Sequence, residues 1–286
     1  MDYGRSLLTG IVLSSFIAFA ALRRNALSQS GVIGAVILGT LIFGLGGWVW
    51  GALLVTFFVL SSLLSRYRSS AKRELSEKFA KGSRRDFGQV LANGGVGALL
   101  AIAQPFLGHP ALFFAFLGTM ATVNADTWAT ELGVLDPRPP RLITTGSAVE
   151  PGTSGGVSRL GLLATVAGGA AIGLVGWALW GLAAGQTGDG WSGRPVLAGF
   201  TLLVASVLGG LAGSLVDSLL GATIQAIYYS EGRAKETERA VDADGNPNRL
   251  VRGWRWLTND WVNFLSSAVG AVVGAVAYVL MNLVAL

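Results

Sequence analysis

Long apolar runs are the feature this chain has to accommodate first. A helix needs about 20 mainly apolar residues to cross about 30 Å of hydrocarbon. The sequence offers that pattern repeatedly, at residues 7–22, 31–64, 89–104, 111–123, 160–184, 196–216 with an extension to 228, and 264–284. Only 13% of the 286 residues are Asp, Glu, Lys or Arg, against about a quarter in a soluble domain. So little charge cannot cover a water-soluble surface, which disfavours a soluble enzyme, a disordered chain and a nucleic-acid-binding domain. The expected fold class is all-α, a polytopic membrane helix bundle of about eight spans forming a single transmembrane domain over residues 1–286.

Two runs call for a decision. In the first, Ala18-Phe19-Ala20 resembles a signal-peptide cleavage site, but Arg23-Arg24 sits where a retained anchor carries its charge. Residues 31–64 are too long for one span and too short for two full ones, and Gly44-Leu45-Gly46-Gly47 interrupts them, which predicts a short hairpin of two helices. The basic residues support this count. If Arg23 and Arg24 are cytoplasmic and each run crosses once, the loops 23–30, 65–88, 124–159 and 229–258 lie inside and hold 19 of the 21 Lys and Arg residues. Only Arg5 and Arg194 remain outside, the asymmetry the positive-inside rule demands. Both termini are then expected outside. Trp48, Trp50, Trp191 and Trp254 flank spans and read as interfacial anchors. Small-xxx-small pairs at Gly47/Gly51, Gly169/Gly173, Gly209/Gly213 and Gly270/Gly274 predict close helix crossings.

With no cysteine and one histidine, His109, disulfides, iron–sulfur clusters and multi-His metal sites are excluded. His109, in Gly108-His109-Pro110, reads as a turn residue. Polar side chains at membrane depth are costly, so those present are functional candidates. Lys81, Arg85, Gln89 and Asn93 recur every four residues and predict one polar stripe down a helix face, cationic at its start. Asn124, Asp126, Thr127 and Glu131 follow the fifth expected span, 111–123, and the two carboxylates in so neutral a neighbourhood suit a divalent cation such as Mg²⁺. The loop Gly152-Thr153-Ser154-Gly155-Gly156, with Ser158 before the next run, has the chemistry of a phosphate cradle beside a helix N-terminus. It is not a Walker A loop, and the Gly188/Gly190/Gly193 spacing is discarded because no strand precedes it. Asp217, Gly221 and Gln225 form a second stripe, and Asn259 and Asn263 a third.

The segments Gln89–Gly95, Ala125–Gly133, Pro151–Ser158 and Asp217–Ala222, in that order, resemble the integral membrane family that contains the chloroplast phytyl-phosphate kinase of tocopherol salvage and the human transmembrane protein 19. Asp126, Ala129 and Gly133 also fit the looser Asp-x-x-Ala-x-x-x-Gly pattern of dolichol-kinase-like and CDP-diglyceride-synthase-like enzymes. The resemblance implies transfer of a nucleotide γ-phosphoryl group, from CTP in preference to ATP, to a prenyl monophosphate. It implies Mg²⁺ on Asp126, Glu131 and Asp217, with Asp126, Lys81 and Arg85 as catalytic groups. The expected partners are a prenyl monophosphate and membrane lipid, with no nucleic acid, in an arrangement compatible with a homodimer. The expected location is a cell or plastid-type inner membrane, with the active site on the cytoplasmic face. A lipid-nucleotide transferase and a transporter of phosphorylated or lipid substrates are the alternatives. The transporter is disfavoured because the polar groups gather on one side only.

Overall fold

The computed structural model describes residues 3–67, 84–187, 195–242 and 244–284. Eight α-helices lie among them: α1 (Tyr3–Arg23), α2 (Gln29–Leu41), α3 (Trp48–Arg66), α4 (Phe87–Leu107), α5 (Ala111–Gly133), α6 (Arg159–Thr187), α7 (Pro195–Thr223) and α8 (Asn259–Val284). Local chemistry sets several boundaries. Ser28 caps α2 by accepting from the Gly31 N–H. Asp86 and Gln89 form a capping box at the start of α4. The expected hairpin forms: α2 ends in a π-helical turn, Ile42–Gly46, and Gly47 at φ +90° reverses the chain into α3. Residues 196–216 and their extension form one unbroken helix, α7, which ends at Thr223 rather than reaching Tyr228.

Seven helices are long and apolar enough to cross a membrane, and their outer faces expose Phe16, Leu163 and Val272 as lipid-facing side chains would be. The eighth, α5, falls short of that apolarity and is the most enclosed, because every residue from Phe114 to Ala125 is buried. It packs against α6, α7 and α8, and α7 packs on both α6 and α8, while α1 to α4 flank this four-helix core. Phe116, Leu117 and Met120 of α5 meet Trp50 and Leu53 of α3, Ile172 of α6 and Leu202 of α7 in the main apolar cluster. Trp50, expected at the interface, instead stacks on Phe116 at 4.4 Å and is buried. Trp48 and Trp254 are exposed as expected, and Trp191 lies outside the described residues.

Glycine permits the central crossing. A Cβ on Gly118 of α5 would lie 2.1 Å from the Gly270 carbonyl oxygen of α8, and one on Gly209 of α7 would lie 3.0 Å from Gly118 Cα. Thr122 Oγ1 adds a hydrogen bond to the Gly209 carbonyl at 3.0 Å. In lipid, where apolar burial gives no net drive, this packing and bonding hold helices together.

The described parts of the loops that follow α1, α3, α5 and α7 lie at one end of the bundle. Arg85 N–H donates to the Ala26 carbonyl (3.1 Å) and Ser28 N–H to the Arg85 carbonyl (3.0 Å), joining the first two. The α5–α6 loop contains the antiparallel pair β1 (Arg141–Leu142) and β2 (Gly156–Val157). The α7–α8 loop folds into an antiparallel sheet of β3 (Ile227–Ser230), β4 (Lys235–Thr237) and β5 (Arg249–Arg252), in the order β4-β3-β5. His109 sits in a turn at the other end, edge-on to Tyr278.

Candidate functional site

Sequence reasoning ended the fifth span at Val123, yet α5 continues unbroken to Gly133 and carries Asp126 two turns before its end. The reason is its surroundings. A helix enclosed by protein can keep polar residues that a lipid-facing helix would have to shed. Asp126 faces α7, where Ser214 Oγ donates to its Oδ1 at 3.4 Å. Three residues along α7, Asp217 accepts from Ser266 Oγ of α8 at 3.2 Å, and the charges of Asp126 and of Glu238 both reach it. Asn263, one turn before Ser266, shares its hydroxyl through the Asn263 carbonyl at 3.0 Å. Three helices thus bring two carboxylates together, with hydroxyls around them and no salt-bridge partner for either among the described residues.

Glu131 does not join this pair. Five residues beyond Asp126, it is turned about 140° around the helix, where its charge acts on Arg85. No group of three or more His, Cys, Asp or Glu side chains able to hold a metal occurs among the described residues. Two carboxylates are nonetheless a suitable donor set for Mg²⁺, which is commonly held by one or two carboxylates together with substrate phosphates.

Beside the carboxylates lies the glycine loop. Gly152 and Gly155 take positive φ (+80° and +84°). Gly155 packs so closely on α7 that an added Cβ would lie 2.4 Å from Ala222 Cβ. β2 anchors the loop by pairing with β1, and Ile143 N–H donates to the Gly155 carbonyl at 3.0 Å. Thr153 and Gly156 spend their N–H groups on the loop's own turns, whereas those of Gly152 and Ser154 make no hydrogen bond among the described residues.

Glu238, which sequence reasoning missed, sits opposite the loop. Its Oε1 accepts from Ser154 Oγ (3.2 Å) and from Gln225 Nε2 (2.9 Å). In sequence Glu238 is one acid in a charged loop, and only the β3–β4 hairpin brings it back to the glycines. Gln225 falls just after α7 and is buried. Between the loop and the hairpin lies a cavity of about 270 Å³, lined by Gly152, Thr153, Ser154, Tyr229, Lys235 and Glu238.

The expected polar stripe is only partly a helix face. Lys81 lies outside the described residues. Asp86 caps α4, so Arg85 precedes the helix and is held in an extended bridge to Leu27. Its guanidinium donates to Ser61 and Ser62 of α3 (2.9 Å each) and lies over the Phe57 and Phe58 rings. Burial pulls its pKa down to about 10, with the charge of Glu131 opposing, so it stays cationic at neutral pH. Gln89 serves the capping box, and Asn93 Nδ2 donates back to the Gln89 carbonyl at 2.9 Å. Both also line an apolar cleft headed by Arg85.

Other expected ligands are occupied elsewhere. Asn124 is fully buried and donates to the Gly168 carbonyl of α6 at 2.8 Å, while Thr127 bonds back to the Val123 carbonyl of its own helix. Ser158 caps α6 through the Gly161 N–H and donates to the Gly133 carbonyl. Asp136 takes the Leu160 N–H at 3.0 Å. Two donors of α6's first turn are therefore already satisfied, so an anion at the glycine loop would have to rely on the loop's own amides. Asn259 opens α8, half-buried.

Residues 12–271 match the family described as integral membrane protein DUF92, and the chain belongs to it. It is 35% identical to "Protein PGR" of Arabidopsis thaliana over 287 aligned residues, covering 96% of each chain. It is 29% identical to an uncharacterized membrane protein of Methanocaldococcus jannaschii, covering 95% of this chain and 94% of that one. It is 24% identical to "Protein VTE6, chloroplastic" of Arabidopsis thaliana, covering 90% of this chain and 67% of that one. No solved structure matches.

Proposed function

We propose that this protein is a membrane kinase that transfers the γ-phosphoryl group of a nucleoside triphosphate, CTP in preference to ATP, to phytyl or a related prenyl monophosphate. The observation that carries the reading is the Asp126–Asp217 pair, enclosed by three helices with no salt-bridge partner among the described residues, next to a glycine loop and cavity and on the same end of the bundle as Arg85. Family membership supports it, since the relatives include the chloroplastic protein VTE6. On this reading that end of the bundle faces the cytoplasm.

The acceptor is a phosphate monoester, already anionic and nucleophilic at neutral pH, so no strong general base is needed and positioning with charge neutralisation carries the rate. Its oxygen attacks the γ-phosphorus, the bond to the β–γ bridging oxygen breaks, and the nucleoside diphosphate leaves. Asp126 and Asp217 would hold Mg²⁺, which supplies neutralising charge to the nucleotide phosphates. The Gly152 and Ser154 amides receive those phosphates, while Arg85 and Lys81 would neutralise the acceptor phosphate. Asn263 orients groups beside the carboxylates.

The test is a matrix of CTP and ATP against phytyl phosphate, geranylgeranyl phosphate and the free alcohols with purified protein. Diphosphate product with release of nucleoside diphosphate is expected, and Asp126→Asn should lower kcat by about 10²-fold or more. Release of pyrophosphate would indicate a nucleotidyl transferase instead. Full activity in Asp126→Asn would remove the metal role.

A further inference from the structure

We propose that the cleft between α1, α2, α3 and α4 holds the isoprenoid chain of the acceptor, with the acceptor's phosphate at Arg85. The proposal rests on the kinase reading and specifies where its lipid substrate lies. The walls of the cleft are apolar, from Ile17 and Ala18 of α1 through Leu38 of α2 to Leu54 and Phe58 of α3. Its polar members Arg85, Gln89 and Asn93 come from the segment that leads into α4 and from its first two turns, which gather them toward one end. An apolar bore with a cationic end matches a single-chain amphiphile with an anionic head.

Arg85 is built to stay there. Its backbone is bonded to Ala26 and Ser28, and its guanidinium is held by two serine hydroxyls rather than by a carboxylate. Hydroxyls orient a guanidinium without cancelling its charge, which leaves that charge for an anion. The charge of Glu131, at the end of the helix that carries Asp126, reaches Arg85, so the head of the cleft and the carboxylate pair are served by the same two turns of α5. The cleft has about 80 Å³ of free space, room for about five to eight water-sized groups, so the carbons nearest the phosphate fill it and the rest of a long chain runs on between the helices, with small residues such as Ala18, Ala35 and Gly39 setting the width. A two-chain phospholipid does not suit such a bore.

The chain has no cysteine, so Ala35→Cys gives a unique probe for N-phenylmaleimide. Geranylgeranyl phosphate is expected to slow its alkylation about tenfold, while dimethylallyl phosphate and inorganic phosphate do not. Ala35→Phe should lower the ratio of kcat/KM for geranylgeranyl phosphate over dimethylallyl phosphate about tenfold, the scale on which one apolar group discriminates. Equal alkylation with and without geranylgeranyl phosphate, or equal protection by phosphatidic acid, would overturn the assignment even if Ala35→Phe failed to fold. Chain-length-dependent protection without turnover of any acceptor would keep the cleft and sink the kinase reading. Turnover without protection would do the reverse.

Discussion

Asp136 joins two segments of chain just beyond α5. Its carboxylate accepts from the Leu160 N–H at the start of α6 and from the Arg138 N–H, and these bonds, the first foremost, hold its pKa below the usual carboxylate range. A depressed folded pKa contributes stability above the unfolded value of about 3.9, and that stability is lost as pH falls through the folded value. The thermal midpoint of the wild type should therefore fall more steeply below about pH 4 than that of Asp136→Asn. Parallel pH profiles in detergent would show that the cap does not titrate with folding. The same residue bears on what the sequence could reveal. Ser158 belonged to a phosphate-like motif, but nothing in the sequence showed that it and Asp136 already occupy the first turn of α6. Glu238 was equally hidden, because a β-hairpin within a charged loop brings it to Ser154.

Among the elements, α5 and α8 approach closely, and glycine is what allows it. A methyl group at Gly118 or Gly270 would meet backbone or the Thr122 hydroxyl, so Gly118→Ala and Gly270→Ala should each destabilise by about 1–3 kcal/mol through overpacking. Gly181→Ala on α6, where nothing lies within 4 Å of the added carbon, should be neutral or slightly stabilising. Reversible unfolding in mixed micelles would separate the two, and an equal change at all three sites would mean that contact across the crossing does not decide. These crossings were legible, because Gly209/Gly213 and Gly270/Gly274 sit at the required spacing. The hairpin at 31–64 was legible for a similar reason: Gly47 marks where the chain can reverse. The extent of α5 was not. Asn124 and Asp126 read as the exit from lipid because hydropathy assumes a lipid neighbour, whereas the neighbours there are Gly168 and Ser214.

For the molecule as a whole, the scarce charge is concentrated where the site is. The loops expected inside hold 19 of 21 basic residues, and their described parts belong to the end that carries Arg85, the glycine loop and the β4-β3-β5 sheet. With no native cysteine, Thr145→Cys in the exposed β1–β2 turn should react with a membrane-impermeant maleimide only after the cytoplasmic side is opened. His109→Cys, in the exposed turn at the other end, should react from outside in intact cells. The reverse pattern would invert the orientation and move the proposed site to the outer face.

The enclosure of α5 also bears on how the protein is made. A translocon judges each emerging segment by its own affinity for lipid, and an Asp near the middle of a helix costs about 2.5–3.5 kcal/mol on that scale. α5 carries Asp126 and Asn124 and, among the described residues, is the one helix that falls short of the apolarity expected of a span. Its place in the bilayer should therefore depend on helices synthesised after it. A chain truncated at residue 158 should leave α5 incompletely integrated, visible as mixed modification of a glycosylation acceptor placed after it, whereas the full chain should give one uniform product. Uniform integration of the truncated chain would show that α4 alone suffices. Otherwise the residue best placed for chemistry is also the one that makes assembly of the bundle a late and cooperative event.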